Sequence, residues 1–466
     1  MSFGNALFHK HIHLIGIGGA GLSAIAQVLL ERGARVSGSD RQASVVTSQL
    51  ASSGATVYIG HAAEHVAGAD LVVTSSAIAA DNPEVLAARE RGVPVLKRSE
   101  FVGELLKSHF TVAVAGTHGK TTTTAMIAFI LDEAGLSPGF IIGGVSRNLR
   151  TNARAGGGRY FVIEADEYDR MFWGLSPEVA VVTNVEFDHP DCFRCLEDLA
   201  EAFVTFLRRV PAEGHIILNG DDRRILEMLT RVELPKTTTF GFSTDVNWRA
   251  VDVACDEAGG HTFSVSHGGT LIGPFQLHVP GIHNVLNALA AIAATTEVGV
   301  KLSSIQESLA RFEGTERRFE QKGTVAGITI IDDYAHHPTE IRATLAAARA
   351  RYAGRTLWAI FQPHTYSRFK ALLNDFSKSF ELADHVIVTE IFASREHDTL
   401  GAHATDLIKR MEHPDVRYIP EFEDIVRFLV ENLQPGDVCI TLGAGDCYLL
   451  GERLLDRLRA LGGDVG

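Results

Sequence analysis

Lys120 closes a glycine turn, Gly116-Thr117-His118-Gly119-Lys120-Thr121-Thr122, that follows the apolar run Phe110–Ala115 and opens a helical pattern. In this order the backbone N–H groups can wrap phosphates, the lysine ammonium can neutralise β/γ charge, and a threonine hydroxyl can bind Mg²⁺. The turn is a shortened GxxGKT, with Val at position 114 where the longer phosphate-loop pattern has Gly. A triphosphate site also needs carboxylates at neighbouring strand ends. Glu164-Ala165-Asp166-Glu167 closes the run Tyr160–Glu164, and Glu186-Phe187-Asp188-His189 follows Ala180–Asn184. Either cluster alone reads as a solvated turn. Both of them behind one phosphate loop favour Mg-ATP chemistry.

A second glycine turn, Gly16-Ile17-Gly18-Gly19-Ala20-Gly21, fits GxGxxG directly after the run His11–Ile17. Such a turn lets the backbone approach a diphosphate at a helix N-terminus, and Asp40 lies near the offset at which an acid meets a ribose hydroxyl. Three readings stay open on these residues: a nicotinamide dinucleotide, another diphosphate nucleotide such as a UDP-sugar, or a turn that only permits close packing. His61, the stretch Thr74-Ser75-Ser76-Ala77-Ile78 and Arg98 supply polar groups at expected strand ends nearby. Cys192 and Cys195 form one CxxC beside His189; without a second pair, packing cysteines are the favoured reading over a metal or redox site.

The elements that must position these residues form three α/β units. The first has strand signals at His11–Ile17, Ala34–Ser37, Thr56–Ile59, Leu71–Thr74 and Val93–Leu96, with a helix over Gly21–Arg32. The second runs through Phe110–Ala115, Tyr160–Glu164, Ala180–Asn184 and His215–Leu218 to an Ala-rich helix after His283. The third has strands at Gly327–Ile331, Thr356–Phe361, His385–Thr389 and Val438–Leu442. The βαβ alternation predicts doubly wound, mostly parallel sheets. The expected domains are 1–107, 108–314 and 315–466.

Composition agrees with this plan. The chain of 466 residues suits about three domains at ~150 residues each. Its 44 Gly against 14 Pro favour tight turns over stiff linkers. The net charge of −14 argues against general nucleic-acid or anionic-membrane binding, so an anionic substrate needs a local basic patch. No apolar run is long enough to span a bilayer, and Met1 to His13 carries no signal-peptide pattern. Five cysteines suit a reducing cytoplasm.

The ordered motifs resemble the Mur ligases, bacterial enzymes that build the peptide stem of peptidoglycan. GTHGKTTTT (Gly116–Thr124), EADE (Glu164–Glu167) and TNxExDH (Thr183–His189) resemble the family's central ATPase domain. The likeness covers the whole chain, with GIGGAG ahead, and Gly281–Asn284 with Asn287, Arg317-Arg318-Phe319, Asp332–Pro338, Phe361–Arg368 and Gly443–Asp446 behind. It implies a Rossmann-like UDP-binding domain, a central P-loop ATPase domain and a C-terminal Rossmann-like domain. The implied reaction adds L-alanine to UDP-N-acetylmuramate through an acyl phosphate, using ATP and two Mg²⁺ ions in the bacterial cytoplasm.

The resemblance also implies roles. Lys120 neutralises the β/γ-phosphates; Thr121 and Glu164 hold one Mg²⁺, and Glu164 with His189 a second. Asn284 pairs with adenine, supported by Asn287, although an Asn there also reads as a helix N-cap. Arg317 or Arg318, together with His336, approaches the transferring phosphate, and Asp333 orients His336 or neighbouring waters. Arg368 meets the carboxylate of the incoming amino acid in a pocket lined by Tyr334 and His364. Gly16, Gly18, Gly19, Ala20, Gly21, Ser39, Asp40, His61, Ser75, Ser76, Ala77, Ile78 and Arg98 surround the UDP-sugar. Thr365 replaces a frequent second arginine, and Tyr168 leans toward the related ligase that reattaches a recycled tripeptide. That ligase is the alternative reading; an NAD-dependent oxidoreductase fused to an ATPase and a non-catalytic nucleotide switch are remoter ones. The resemblance further implies closure about a hinge near Glu313–Thr315.

Overall fold

The computed structural model describes residues 9–462 and contains three sheets, each with helices against it. The first is all parallel: β1 (His11–Ile15), β2 (Arg35–Asp40), β3 (Thr56–Ile59), β4 (Leu71–Thr74) and β5 (Val95–Lys97), in the order β3-β2-β1-β4-β5. The strand order reverses beside β1, and an open α/β sheet binds ligands in the crevice at such a reversal. The first glycine turn leaves β1 at that place, and Ile15 pairs with both Ser39 and Thr74, bringing those residues to one level. The helix Ala20–Glu31 buries Leu22, Ile25, Val28 and Leu29 against the sheet.

The second sheet has ten strands. They are β6 (Phe110–Ala115), β7 (Gly139–Ser146), β8 (Thr151–Arg154), β9 (Tyr160–Glu164), β10 (Val179–Val182), β11 (His215–Asn219), β12 (Lys236–Gly241), β13 (Trp248–Cys255), β14 (His261–His267) and β15 (Thr270–Leu277). Their order is β15-β14-β13-β12-β11-β10-β6-β9-β7-β8. Strand β6 lies between β10 and β9, parallel to both, with Val114 opposite Glu164 and Ala115 opposite Val182. The phosphate loop and the two acidic clusters therefore leave the sheet at the same edge. Helices Lys120–Glu133 and His283–Glu297 pack together over one face.

Antiparallel β13–β15 extend this sheet beyond the strands expected from sequence. Their burial roughly alternates, as in His261–His267, so they lack the continuous apolar runs of the parallel strands.

The third sheet contains β16 (Glu320–Val325), β17 (Ile328–Asp333), β18 (Leu357–Phe361), β19 (His385–Val388), β20 (Val416–Tyr418) and β21 (Val438–Leu442), in the order β16-β17-β21-β18-β19-β20. Its neighbouring parallel strands β17, β21 and β18 end level with one another at Asp333, Leu442 and Phe361. Between the second and third sheets, Gly314 has φ +89°, and its carbonyl accepts from Arg147 N–H while Thr315 pairs with Ser146. Among the described residues, no helix is long and apolar enough to cross a membrane.

Candidate active site

The phosphate loop is held by its own backbone. Gly116 has φ +136°, and a Cβ there would stand 1.9 Å from Thr183 Oγ1, so only glycine fits. His118 N–H donates to Asn184 Oδ1 (2.8 Å), Asn184 Nδ2 donates back to His118 O (3.0 Å), and Thr117 Oγ1 donates to Glu186 O (2.9 Å). Helix Lys120–Glu133 starts from Gly119 in the left-handed region with no side-chain cap. Its first N–H groups are thus left for an anion.

Lys120 Nζ donates to Gly116 O (2.6 Å), Thr117 O (3.1 Å) and Glu167 Oε1 (3.0 Å). Burial opposes its charge, but Glu167, Glu164 and Asp166 outweigh that and hold it protonated. Thr121 Oγ1 donates to Glu164 Oε1 at 3.2 Å, and Gly143 N–H donates to Oε2 at 2.7 Å. Burial raises the Glu164 carboxyl. A hydroxyl and a carboxylate converging beside uncapped helix N–H groups form a hard-oxygen donor set suited to Mg²⁺. His189, expected to share an ion with Glu164, has its Nε2 3.6 Å from Glu167 Oε1 and 3.7 Å from Asp188 Oδ2.

Next to the loop lies a cavity of about 310 Å³. The helix His283–Glu297 contributes Asn284 and Asn287 to its lining, and the third unit contributes Arg318, Asp333, Thr339 and Glu340. Asn284 stands inside that helix rather than at its N-cap, which is Ile282. Its amide donates to Pro280 O (2.6 Å) and accepts from Asn287 Nδ2 (2.9 Å), leaving one N–H and one lone pair for a ligand. Burial and the nearby Arg318 push His283 down to about 4, so it is neutral.

The adjacent arginines part company here. Arg318 lines the cavity and reaches Glu340 at 3.4 Å. Arg317 instead donates to Asp332 Oδ2 (3.1 Å) and Gly443 O (2.8 Å), between the rings of Tyr334 and Tyr448. It binds the third sheet together and does not line the cavity. The expected pairing of Asp333 with His336 is also replaced. Asp333 accepts from Phe319 N–H (2.7 Å) and Ala335 N–H (2.8 Å), while His336 Nδ1 lies 3.2 Å from Glu340 Oε2. The chain turns back on Asp333 directly after β17, whereas Glu340 lies one helical turn beyond His336.

Glu340 is the residue that sequence reasoning missed. Besides His336 and Arg318, it lies 3.3 Å from His118 Nδ1, whose Nε2 is 3.1 Å from Glu186. Burial disfavours charge on His118, but hydrogen bonds to Glu186 and Glu340 push it up to about 9. Burial raises Asp333 to about 6, and pushes His336 down to about 3 against the pull of Glu340. In sequence, Glu340 looks like an ordinary first-turn acid after Pro338, which is why it carried no signal.

Arg368, expected to meet a carboxylate, is held by groups of the protein itself. It donates to Asp188 through Nε (2.6 Å) and Nη2 (3.3 Å), and to His189 Nδ1 (3.3 Å) through Nη2. Nη1 donates to His364 Nδ1 at 3.0 Å and to His364 O at 3.5 Å. All five donors are thereby used, and a carboxylate reaches this arginine only by displacing one of those partners. Tyr334, His336 and His364 sit around it, with ring centroids 5.3 and 5.8 Å apart in sequence. Thr365, at φ +62°, starts the helix that carries Arg368.

Arg395 was absent from the sequence candidates as well. Its guanidinium lies 4.0 Å from the Tyr168 ring centroid and 2.7 Å from Asp191, which also accepts from the Tyr168 hydroxyl (3.2 Å). Tyr168 in turn lies 5.1 Å from His189. Cys192 and Cys195 are free thiols. Among the described residues, the one cluster with metal-ligand spacing is His118, Glu186 and His337.

At the first glycine turn, Gly16 has φ +87° and packs on Ser75; a Cβ there would stand 2.9 Å from Ser75 Oγ. Helix Ala20–Glu31 again starts without a side-chain cap. Asp40 is engaged by the turn itself, accepting from Gly18 N–H at 2.9 Å. Ser39 and His61 meet at 3.0 Å, Ile78 N–H donates to Ser75 O, and Ser76 and Ala77 are exposed beside them. Arg98 lies over Gly21 and donates to Asp166 Oδ2 at 3.0 Å, linking this turn to the acidic strand end beside Lys120.

Residues 11–110 match the Mur ligase family catalytic domain, residues 114–295 the Mur ligase middle domain, and residues 317–445 the Mur ligase glutamate ligase domain. The chain is 44% identical to the UDP-N-acetylmuramate–L-alanine ligase of Alkaliphilus metalliredigens over 449 residues, covering 96% of this chain and 97% of that protein. Among solved structures, the UDP-N-acetylmuramate–alanine ligase of Thermotoga maritima superposes with a TM-score of 0.82 at 30% identity, over 97% of this chain and all of that one. A murein peptide ligase from Psychrobacter arcticus gives 0.75 at 29%, over 98% of this chain and 99% of that chain.

Proposed function

Because this chain belongs to the Mur ligase family, we propose that it joins L-alanine to the carboxylate of UDP-N-acetylmuramate, converting ATP to ADP and phosphate. The observation that carries the reading is the enclosure of the phosphate loop, with Thr121 and Glu164 beside it, under residues of the third unit. The division of labour is UDP-sugar on 1–107, ATP on 108–314 and amino acid on 315–466, in the bacterial cytoplasm.

In this reading Asn284 and Asn287 hold the adenine, and the helix N–H groups with Lys120 hold the phosphates. Thr121 and Glu164 would hold Mg²⁺, supplying charge neutralisation on the phosphate oxygens; a second ion shared by Glu164 and His189 requires the His189 ring to turn away from Glu167. The muramoyl carboxylate attacks the γ-phosphorus and ADP leaves. Lys120 and Arg318 oppose the charge that develops in that step, which depends on positioning more than on covalent chemistry. The alanine amine then attacks the acyl carbon and phosphate leaves. Neutral His336, its Nδ1 held by the Tyr334 carbonyl and Glu340, lines that side beside Arg368 and His364. Arg368 meets the alanine carboxylate by exchanging His364 or His189 for it.

The test is phosphate release with ATP, Mg²⁺ and UDP-N-acetylmuramate, offered either L-alanine or the recycled tripeptide. Release is expected with L-alanine, and Lys120→Ala should lower turnover by about 10³-fold. Release with the tripeptide alone would overturn the acceptor.

A further inference from the structure

Beneath the first glycine turn lies a carboxylate that no step above uses. Glu84, in the first turn of the helix Pro83–Glu90, is fully buried. Its Oε2 accepts from Ser39 Oγ (2.5 Å) and lies 3.1 Å from His61 Nδ1. Its Oε1 lies 2.7 Å from His65 Nδ1 and 3.8 Å from His13 Nε2, an atom with no hydrogen bond among the described residues. The groups facing it come from four places: His13 on β1, Ser39 on β2, His61 after β3, and His65 on the short turn Ala63–Val66, stacked on Tyr58. Behind them, Ser37 Oγ bridges His13 and His11, and Asp40 is committed to Gly18. Burial opposes ionisation of Glu84, but His13, Ser39 and His65 hold its carboxyl well below the usual range.

His61 is the most exposed of these histidines, at 21% of its side chain against 15% for His65, and it flanks the turn whose Gly16 and Ile17 N–H groups donate to Ser39 O. With Nδ1 committed to Glu84 and Ser39, Nε2 is its remaining nitrogen. A carboxylate on Nδ1–H selects the tautomer in which Nε2 is an acceptor, yet a doubly esterified diphosphate offers only acceptors. Nε2 therefore meets such an anion only after protonation, and the anionic Glu84 beneath stabilises the resulting imidazolium. We infer that Glu84 is a positioning residue that sets His61 to take up one proton from solvent when the diphosphate of UDP-N-acetylmuramate binds. The inference rests on the first unit being the UDP-sugar site.

The test is calorimetric titration of the full chain with UDP-N-acetylmuramate, whose diphosphate does not titrate near neutrality. Buffers of different ionisation enthalpy, between about pH 6.5 and 8.5, report proton uptake. Uptake approaching one proton is expected, with Kd rising by up to about tenfold per pH unit. His61→Asn should bind more weakly, without uptake and without the pH slope. Glu84→Gln, if folded, should shift the slope to lower pH. Saturable binding with no uptake, or uptake unchanged in His61→Asn, would overturn the inference alone. No saturable binding at any pH would overturn the UDP-sugar reading and the inference with it.

Discussion

Arg317 and Arg318 are neighbours in sequence, yet their partners give them opposite consequences. Replacing Arg317 by Ala leaves the fully buried Asp332 without its cation, a loss of about 3–5 kcal/mol. Replacing Arg318 by Ala leaves exposed space for water in the cavity, so stability should change little while kcat falls by about 10²-fold or more. Denaturant unfolding and steady-state turnover on both variants check this; equal effects on both measurements would contradict the assignment. Lys120 was legible from sequence because strand, glycine turn and lysine lie in one short segment. Glu340, Glu84 and Arg395 were not. Glu84 and Arg395 meet their partners across long sequence separations, as Glu340 does with His118, and Glu84, after Asn82 and Pro83, reads as nothing more than a helix start.

Parallel strands buried on both faces write continuous apolar runs, and β6, β9, β10, β11, β18 and β21 were readable for that reason. The antiparallel strands β13–β15, with β15 at the sheet edge, and the edge strand β20 bury only part of their length and left no comparable trace. Loop conformation was legible only as the presence of glycine. What those glycines do is a matter of φ and near neighbours. Gly116→Ala forces a side chain into the region glycine favours and against Thr183, and should lose about 1–3 kcal/mol along with nearly all ATP turnover. Gly157→Ala, where nothing lies within 4 Å and φ is not in that region, should change neither. Melting temperature and phosphate release on the pair decide it.

Across the whole molecule, the third unit is docked on the second through His118 with Glu340, Thr339 with Glu186, His337 with the Phe187 carbonyl, and Arg368 with Asp188. His118 is held protonated well above its ordinary range. The docking it contributes is therefore complete below about pH 6.5 and lost as pH rises through about 9. The radius of gyration from solution scattering should increase between neutral pH and about pH 10, and a constant radius would contradict it. Cations at Lys120, Arg318 and Arg368 are gathered at this junction although the chain as a whole carries −14.

The cavity beside the phosphate loop has its floor in one unit and its lid, Arg318, Asp333, Thr339 and Glu340, in another. In the proposed reaction ADP would leave as lid and floor separate, so each cycle would include one mechanical stroke of the domain contact.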